Sequence, residues 1–455
     1  MIRTHFRETV SLGKMAFMRF RVWIFLALVI LLASTCAAAG GDDIVAGPMV
    51  GSVTDKSARV WMQLNVAKTV TVTTFEIERG GQVSQVSVDV EGPLPFVCDV
   101  PINGLSPNRN YRIEIKLDNV RVKLPGGERI ITTAPPEGSE ANFCIALGSN
   151  LRQLEPRDGN PGLGPIFVEI EKLKPRAFLF LGNTASLPLK MEDWPQTNRQ
   201  AFRVITDAYS KVRREPDLQG LFRTVPCYAV WNDLDFGLPG SDKTWIYKNE
   251  AWAAFQRFWP NPDWGTPDNP GTYCNFTIAD AEFFLLDPRM YRDKDAMLGE
   301  KQLEWLKKSL SQSTATFKLI ACGNRLLPAC PPSQHRDSWF YFGWEQKEFL
   351  RWLFDNNITG VVFLSGGRFG EITALTPPPK NAYRLFELTV GPLAGPTLKA
   401  APENDHRQKA AVLSNSFATL DFGGIRGNRF VTLRLRDDSG TIQMEQTLFA
   451  GQLKR

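Results

Sequence analysis

In the stretch Trp231-Asn232-Asp233-Leu234-Asp235-Phe236-Gly237, an apolar run of strand length breaks into a polar cluster and stops at a glycine. Asp233 and Asp235 offer hard oxygen donors of the kind that hold a divalent cation, and either could act as a general base. The same two carboxylates also suit a helix cap or a solvated face. In open α/β sheets, ligands and catalytic groups collect in the loops after the carboxyl ends of the strands. Four further apolar runs end the same way. Residues 143–147 run into Gly148-Ser149-Asn150, and 178–181 into Gly182-Asn183. Leu285-Leu286 runs into Asp287-Pro288-Arg289, and Phe363-Leu364 into Ser365-Gly366-Gly367-Arg368. One polar strand end carries little information. Five in order predict a pocket along one sheet edge.

The elements that must position these ends change character near Asn142. Before it, over residues 42–133, Ala58, Val60, Met62 and Leu64 alternate with Arg59, Trp61 and Gln63, and Tyr111, Ile113, Ile115 and Leu117 repeat the pattern. Period-two alternation predicts half-buried antiparallel strands. Gly104-Leu105-Ser106-Pro107 leading to Tyr111 resembles the tyrosine corner of a fibronectin type III-like sandwich. Residues 134–141, with Pro135-Pro136-Glu137-Gly138, read as a linker. From 142 to 450, strand-like runs at 143–147, 177–181, 228–231, 283–286, 317–322 and 361–364 alternate with helical spacing such as Leu303, Leu306 and Leu310. That alternation predicts an α/β domain, with strands again after Asn415.

Composition narrows the function classes. The 455 residues carry a net charge of +5 with dispersed Lys and Arg, which leaves no nucleic-acid footprint. Histidine is scarce: His5, His335 and His406 are all there is. Lys14, Arg19 and Arg21 precede an apolar run over 22–33, and Ala37-Ala38-Ala39 follows. This order predicts a signal peptide over 1–39 and an extracytoplasmic address. A membrane would enter only through an uncleaved segment or a lipidated Cys36. After cleavage six cysteines remain, none in a C-x-x-C metal pattern. Cys144, Cys227 and Cys322 read as buried small hydrophobes, and Cys322 with Cys330 could pair across a loop.

The order of these motifs resembles the PhoD-type alkaline phosphatase/phosphodiesterase family, a metallophosphatase domain preceded by a small β-sandwich. Ala46-Gly47-Pro48 with Ala58-Arg59-Val60-Trp61 carry the resemblance, as do 178–182, 228–231, 283–287 with Arg289-Met290-Tyr291-Arg292, Leu298-Gly299 with Gln302, and 363–366. It extends over about residues 44–450. It implies an αββα metallophosphatase-like sandwich, and two or more metal ions, such as calcium or iron, held at the strand ends. This chain departs from the family pattern at those ends. The family's cysteine is Asn150, and its next aspartate is Asn183. Its Trp-Asp-Asp-His-Asp motif reads Trp231-Asn232-Asp233-Leu234-Asp235, and its Ser-Gly-Asp with a following His reads Ser365-Gly366-Gly367-Arg368. Of the matched ligand positions only Asp233 keeps its type.

Burying several cationic charges requires anionic ligands. Leu234 has no donor atom and Gly367 has no side chain. The reading that follows is an exported phosphatase-fold protein without metal or hydrolase activity, acting as a binding or structural module. Its rival is an active phosphoesterase with an unusual ligand set of Asn150, Asn183, Asp233, Asp235 and a displaced His335. A phosphate-containing ligand is the candidate partner in either case, and Arg289, Arg292 and Arg368 are candidate anion binders because a guanidinium suits phosphate oxygens. The same arginines could instead pair with Asp287, Asp293 or Glu371.

Overall fold

Residues 44–132 form eight strands because their apolar side chains recur every second position. The computed structural model describes residues 43–124, 127–151, 163–327, 338–377 and 382–454. The expected signal segment, Cys36, Cys330 and His335 lie outside the described residues. Strands β1 (Ile44–Gly51), β2 (Ser57–Leu64) and β5 (Phe96–Asn103) make one sheet; β3 (Lys68–Glu76), β4 (Gln82–Val90), β6 (Asn110–Leu117), β7 (Val120–Arg121) and β8 (Arg129–Thr132) make the other. On β6, Tyr111, Ile113, Ile115 and Leu117 are buried and the intervening residues are not. The Tyr111 hydroxyl accepts the Ser106 N–H at 2.7 Å, pinning the turn before β6. β2 departs from simple alternation, since Trp61 and Gln63 are buried as well. Trp61 faces the α/β domain: its ring lies 5.6 Å from that of Phe258, and its Nε1 donates to the Arg257 carbonyl at 2.8 Å.

The α/β domain is two six-stranded sheets packed face to face. The first runs β11 (Cys227–Val230), β10 (Ala177–Leu181), β9 (Phe143–Gly148), β20 (Ser416–Gly423), β21 (Phe430–Asp437), β22 (Ile442–Phe449). Its β9, β10 and β11 are parallel and β20 to β22 antiparallel. A two-residue ladder, β12 (Gly265–Thr266) with β13 (Asn269–Pro270), leads to the second sheet. That sheet runs β14 (Cys274–Ile278), β15 (Ala281–Leu285), β16 (Phe317–Cys322), β17 (Val361–Gly366), β19 (Leu385–Val390), β18 (Glu371–Leu375).

The parallel strands read as unbroken apolar runs because both faces are covered. On β10, Leu179 and Leu181 point into the core between the sheets, while Phe178 and Phe180 point out against helices. Helices α1 (Ile166–Lys172), α2 (Asn198–Arg213), α3 (Gln219–Thr224) and α5 (Lys248–Phe258) cover that outer face. One-turn α4 (Asp233–Phe236) follows β11, and α6 (Glu300–Gln312) and α7 (Gly343–Asp355) contribute to the core of the second sheet. At their carboxyl ends the sheets close on each other. A Cβ on Gly366 would lie 2.0 Å from the Leu181 carbonyl oxygen, and one on Gly323 2.4 Å from that of Trp231. Only glycine lets the strand ends meet this closely, and the site forms above that junction.

Candidate functional site

A cavity of about 610 Å³ opens at the strand ends. Asn150, Asn183, Asn232, Asp233, Gly367 and Arg368 all line it, so residues scattered over more than 200 positions share one pocket. Asn150 after β9 and Asn183 after β10 both adopt left-handed backbone, with φ of 55° and 56°. Asparagine tolerates that conformation better than most residues. The two are joined, Asn183 Nδ2 donating to Asn150 Oδ1 at 3.1 Å. Asn150 Nδ2 donates to the Gly367 carbonyl at 2.8 Å, tying β9 to β17. Asn183 Oδ1 accepts the Leu234 N–H at 3.0 Å.

Asp233 and Asp235 part company on α4. Asn232 caps this single turn, its Oδ1 accepting from the Asp233 N–H at 2.8 Å. Asp233 faces the cavity, with Oδ1 accepting from the Leu234 N–H at 3.0 Å and Oδ2 from the Gly240 N–H at 3.1 Å. Asp235 turns back into the protein, is fully buried and does not line the cavity. Its Oδ1 accepts from the N–H and hydroxyl of Thr184, each at 2.8 Å, and from the Ala185 N–H at 3.0 Å. Its Oδ2 accepts from the N–H groups of Asn183 at 2.5 Å and Asn232 at 3.0 Å. Burial pushes the Asp235 carboxyl up, and these donors push back. It is an anchor for the loop after β10.

Of the three arginines expected to bind an anion, only Arg368 lines the cavity. Arg289 is fully buried behind it. Its Nη2 and Nε donate to Asn232 Oδ1 at 2.5 and 3.1 Å, its Nη2 also to Asn324 Oδ1 at 3.2 Å, and its Nη1 to the Ser241 carbonyl at 3.1 Å. Arg292 is buried with its guanidinium over the Phe342 ring, 5.1 Å from the centroid. Asp287 spends its carboxylate on Trp231 Nε1 at 2.6 Å and on backbone N–H groups of Thr272, Arg289 and Met290 at 3.0 Å. Asp293 pairs with Lys243, and Glu371 with Arg407.

Sequence reasoning missed Asn324 and Arg325, which line the cavity after β16. Their signal is an apolar run, 317–322, that ends in Gly323-Asn324 as β10 ends in Gly182-Asn183. Arg325 is 8% exposed. Its Nη1 lies 3.7 Å from Glu371 Oε1, and its guanidinium 5.5 Å from the Phe369 ring centroid. His406 does not line the cavity; its N–H donates to Asn404 Oδ1 at 3.0 Å in the loop beside β18. Cys227 and Cys322 are buried free thiols, pushed up to about 12 by burial.

The donor chemistry decides what this cavity can hold. Among the described residues, no three His, Cys, Asp or Glu side chains converge, and Asp233 is the sole carboxylate on the lining. The carbonyl oxygens of Asn150, Asn183 and Asn232 already accept protein N–H groups, and on Asn232 the donor is itself a cation, Arg289. A Cβ on Gly367 would meet Thr389 Cγ2 at 2.6 Å, so a side chain there needs the strand end to shift. These residues do not fit a dinuclear metal centre, which requires several anionic oxygens turned toward the ions.

Two face-to-face sheets flanked by helices, with a polar cavity at the carboxyl ends of the strands, define a metallophosphatase-like α/β fold. The pattern of the PhoD-like phosphatase family matches residues 190–441, more than half of the chain, and the chain belongs to that family. Residues 41–135 match a domain of unknown function, DUF7800. A solved PhoD structure aligns with a TM-score of 0.73 at 15% identity, covering 90% of each chain. A purple acid phosphatase, PPD1, from yellow lupin (Lupinus luteus) seeds aligns at 0.66 and 13% identity, covering 88% of this chain and 74% of its own. No curated protein sequence matches.

Proposed function

We propose that this chain is an exported PhoD-like phosphatase-fold protein that binds a ligand at its strand ends without metal-dependent hydrolysis. The observation that carries the reading is the Arg289 guanidinium 2.5 Å from Asn232 Oδ1. A fixed cation stands on the oxygen that aligns with the first carboxylate of the family's third motif. A second cation placed there would be repelled, and water without a metal keeps its ordinary, high pKa. The departures at Asn150, Asn183, Leu234 and Gly367 support the same reading. Export rests on the basic, apolar, small-residue order of residues 14–39; among the described residues no helix is long and apolar enough to cross a membrane.

Elemental analysis of the purified mature chain, with assays on p-nitrophenyl phosphate and bis-p-nitrophenyl phosphate, tests the proposal. The expected result is sub-stoichiometric metal and no turnover above background, with a mature N-terminus near Gly40 by mass spectrometry. Stoichiometric calcium or iron together with turnover abolished by Asp233→Ala would establish the active alternative instead.

A further inference from the structure

We infer that the strand-end cavity is a site for an organic oxyanion with an apolar substituent, seated by Arg325 and Arg368; this rests on the proposal that the cavity binds rather than cleaves. Arg325 is 8% exposed, yet its guanidinium has no hydrogen-bond acceptor among the described residues, and its buried Nη1 has only the 3.7 Å ion-pair contact with Glu371. The neighbouring Glu371 does not serve it. That carboxylate is taken by Arg407 Nε at 2.6 Å and by Asn404 Nδ2 at 3.1 Å, which leaves Arg325 a longer contact of 3.7 Å. Arg368 is exposed on the same lining and makes no hydrogen bond or ion pair among the described residues. Two guanidiniums against the one carboxylate of Asp233 leave the lining with an excess of one positive charge, counted as two minus one. A buried donor without an acceptor is costly, and a planar guanidinium is suited to take two oxygens of one anion.

Part of the rest of the lining is apolar, beside the side chains of Asn150, Asn183, Asn232 and Asn324. Leu187 and Leu189 enter from the loop after β10, Pro396 and Leu398 from the loop after β19, and Phe369 and Leu234 lie beside them. Leu189 is 39% exposed, an apolar side chain at a polar site with water as its other neighbour. A small inorganic anion would reach the arginines and leave these side chains wet. An alkyl or aryl group on the anion would cover them. A cavity of about 610 Å³ also exceeds the needs of a bare oxyanion.

The test is calorimetric titration of the full mature chain with inorganic phosphate, methylphosphonate and hexylphosphonate, whose carbon–phosphorus bonds do not hydrolyse. Hexylphosphonate should bind about tenfold or more tightly than methylphosphonate, because the added methylenes leave water. Arg325→Met should weaken both phosphonates by about tenfold or more. Arg368→Gln, at an exposed position that the fold does not use, should weaken both as well and guards against a misfolded Arg325 variant. Leu189→Ser should narrow the gap between the two phosphonates and leave methylphosphonate unchanged. Equal affinities for the two, or hexylphosphonate binding that survives loss of both arginines, would overturn the inference. Absence of all binding would also overturn it while leaving the non-hydrolytic proposal standing. Release of phosphate from hexyl phosphate would overturn that proposal alone, with phosphonate binding still supporting the site.

Discussion

Arg213 and Arg325 are both buried guanidiniums with no carboxylate at hydrogen-bond distance, yet they lie in opposite surroundings. Arg213 ends α2 at the seam between the β-sandwich and the α/β domain and is 1% exposed. Its guanidinium stacks 3.9 Å from the Trp259 ring centroid, with Phe222 and Trp61 at 5.3 and 5.5 Å, and Nη2 donates to the Phe258 carbonyl at 2.7 Å. Its Nε and Nη1 have no acceptor either, but they are enclosed by rings whose faces attract a cation. Arg325 has one ring, a shared carboxylate and an open cavity. An unmet donor is therefore not by itself the mark of a site. It becomes one when the space in front of it is large enough to admit an acceptor.

The seam offers the largest effect with which to break this comparison. Arg213→Ala should cost about 3–5 kcal/mol, because it empties a space walled by Trp61, Phe222 and Trp259. Arg213→Met should stay within about 1.5 kcal/mol of the parent, since it refills the volume and removes a desolvated charge held at about 10 by burial. Chemical unfolding of both variants decides the matter. A methionine variant as unstable as the alanine would mean that the charge, rather than the packing, holds the seam. At the cavity the expectation reverses: Arg325→Met should leave unfolding nearly unchanged and weaken phosphonate binding by about tenfold or more.

Asp235 comes next, and it sharpens the contrast from the side of the anions. Asp235→Asn keeps the shape but turns an NH₂ toward backbone N–H groups that now donate to a carboxylate oxygen. Each orphaned donor costs about 1–3 kcal/mol, so the two together give an expected loss of about 2–6 kcal/mol. Asp233→Asn, on the cavity side of the same turn, retains an acceptor and should cost less than half as much. Equal losses in thermal unfolding would show that the two carboxylates do the same work.

How much of this was legible in the sequence follows from which features are local. A switch from apolar run to polar cluster is local, and it located the ends of β9, β10, β11 and β17 that frame the cavity. The division of labour between Asp233 and Asp235 is not visible at i, i+2 spacing alone. It is set by Asn232 starting a one-turn helix whose third residue folds back on the cap, and Asn-x-x-Asp was the only hint. Trp61 and Gln63 were expected on the open face of β2, but what covers that face is a helix almost 200 residues away. Arg289 could be read as a free cation until Asn232 and Asn324, from two other strand ends, were seen to accept from it. Arg325 was missed although the strand before it was recognised, because its burial depends on Glu371 and Phe369 from a later hairpin.

The smallest expected effect uses acid to separate the two regions. Lys243 Nζ donates to Asp293 Oδ2 at 2.8 Å, and the Lys243 N–H donates to the Arg292 carbonyl at 3.0 Å. This tie holds the loop whose Gly240 N–H reaches Asp233 and whose Ser241 carbonyl accepts from Arg289. The Lys243 hydrogen bond, with N–H groups of Asp295 and Ala296, holds the Asp293 carboxyl down to about 2, below its ordinary value of 3.8. A carboxyl depressed in the folded state stabilises above its unfolded pKa, and that contribution is lost as the pH falls through the folded value. The tie is solvent-exposed, so its effect is modest. Lys243→Met should raise pepsin cleavage within residues 238–245 no more than a few-fold at about pH 4 to 5, with the ratio to the parent converging on one as the pH approaches about 2. Cleavage around the aromatic seam should not respond to the substitution at any of these pH values. A ratio of one throughout would mean that the loop is held by Asp233 and Arg289 alone, and a ratio that grows toward low pH would contradict the assigned sign.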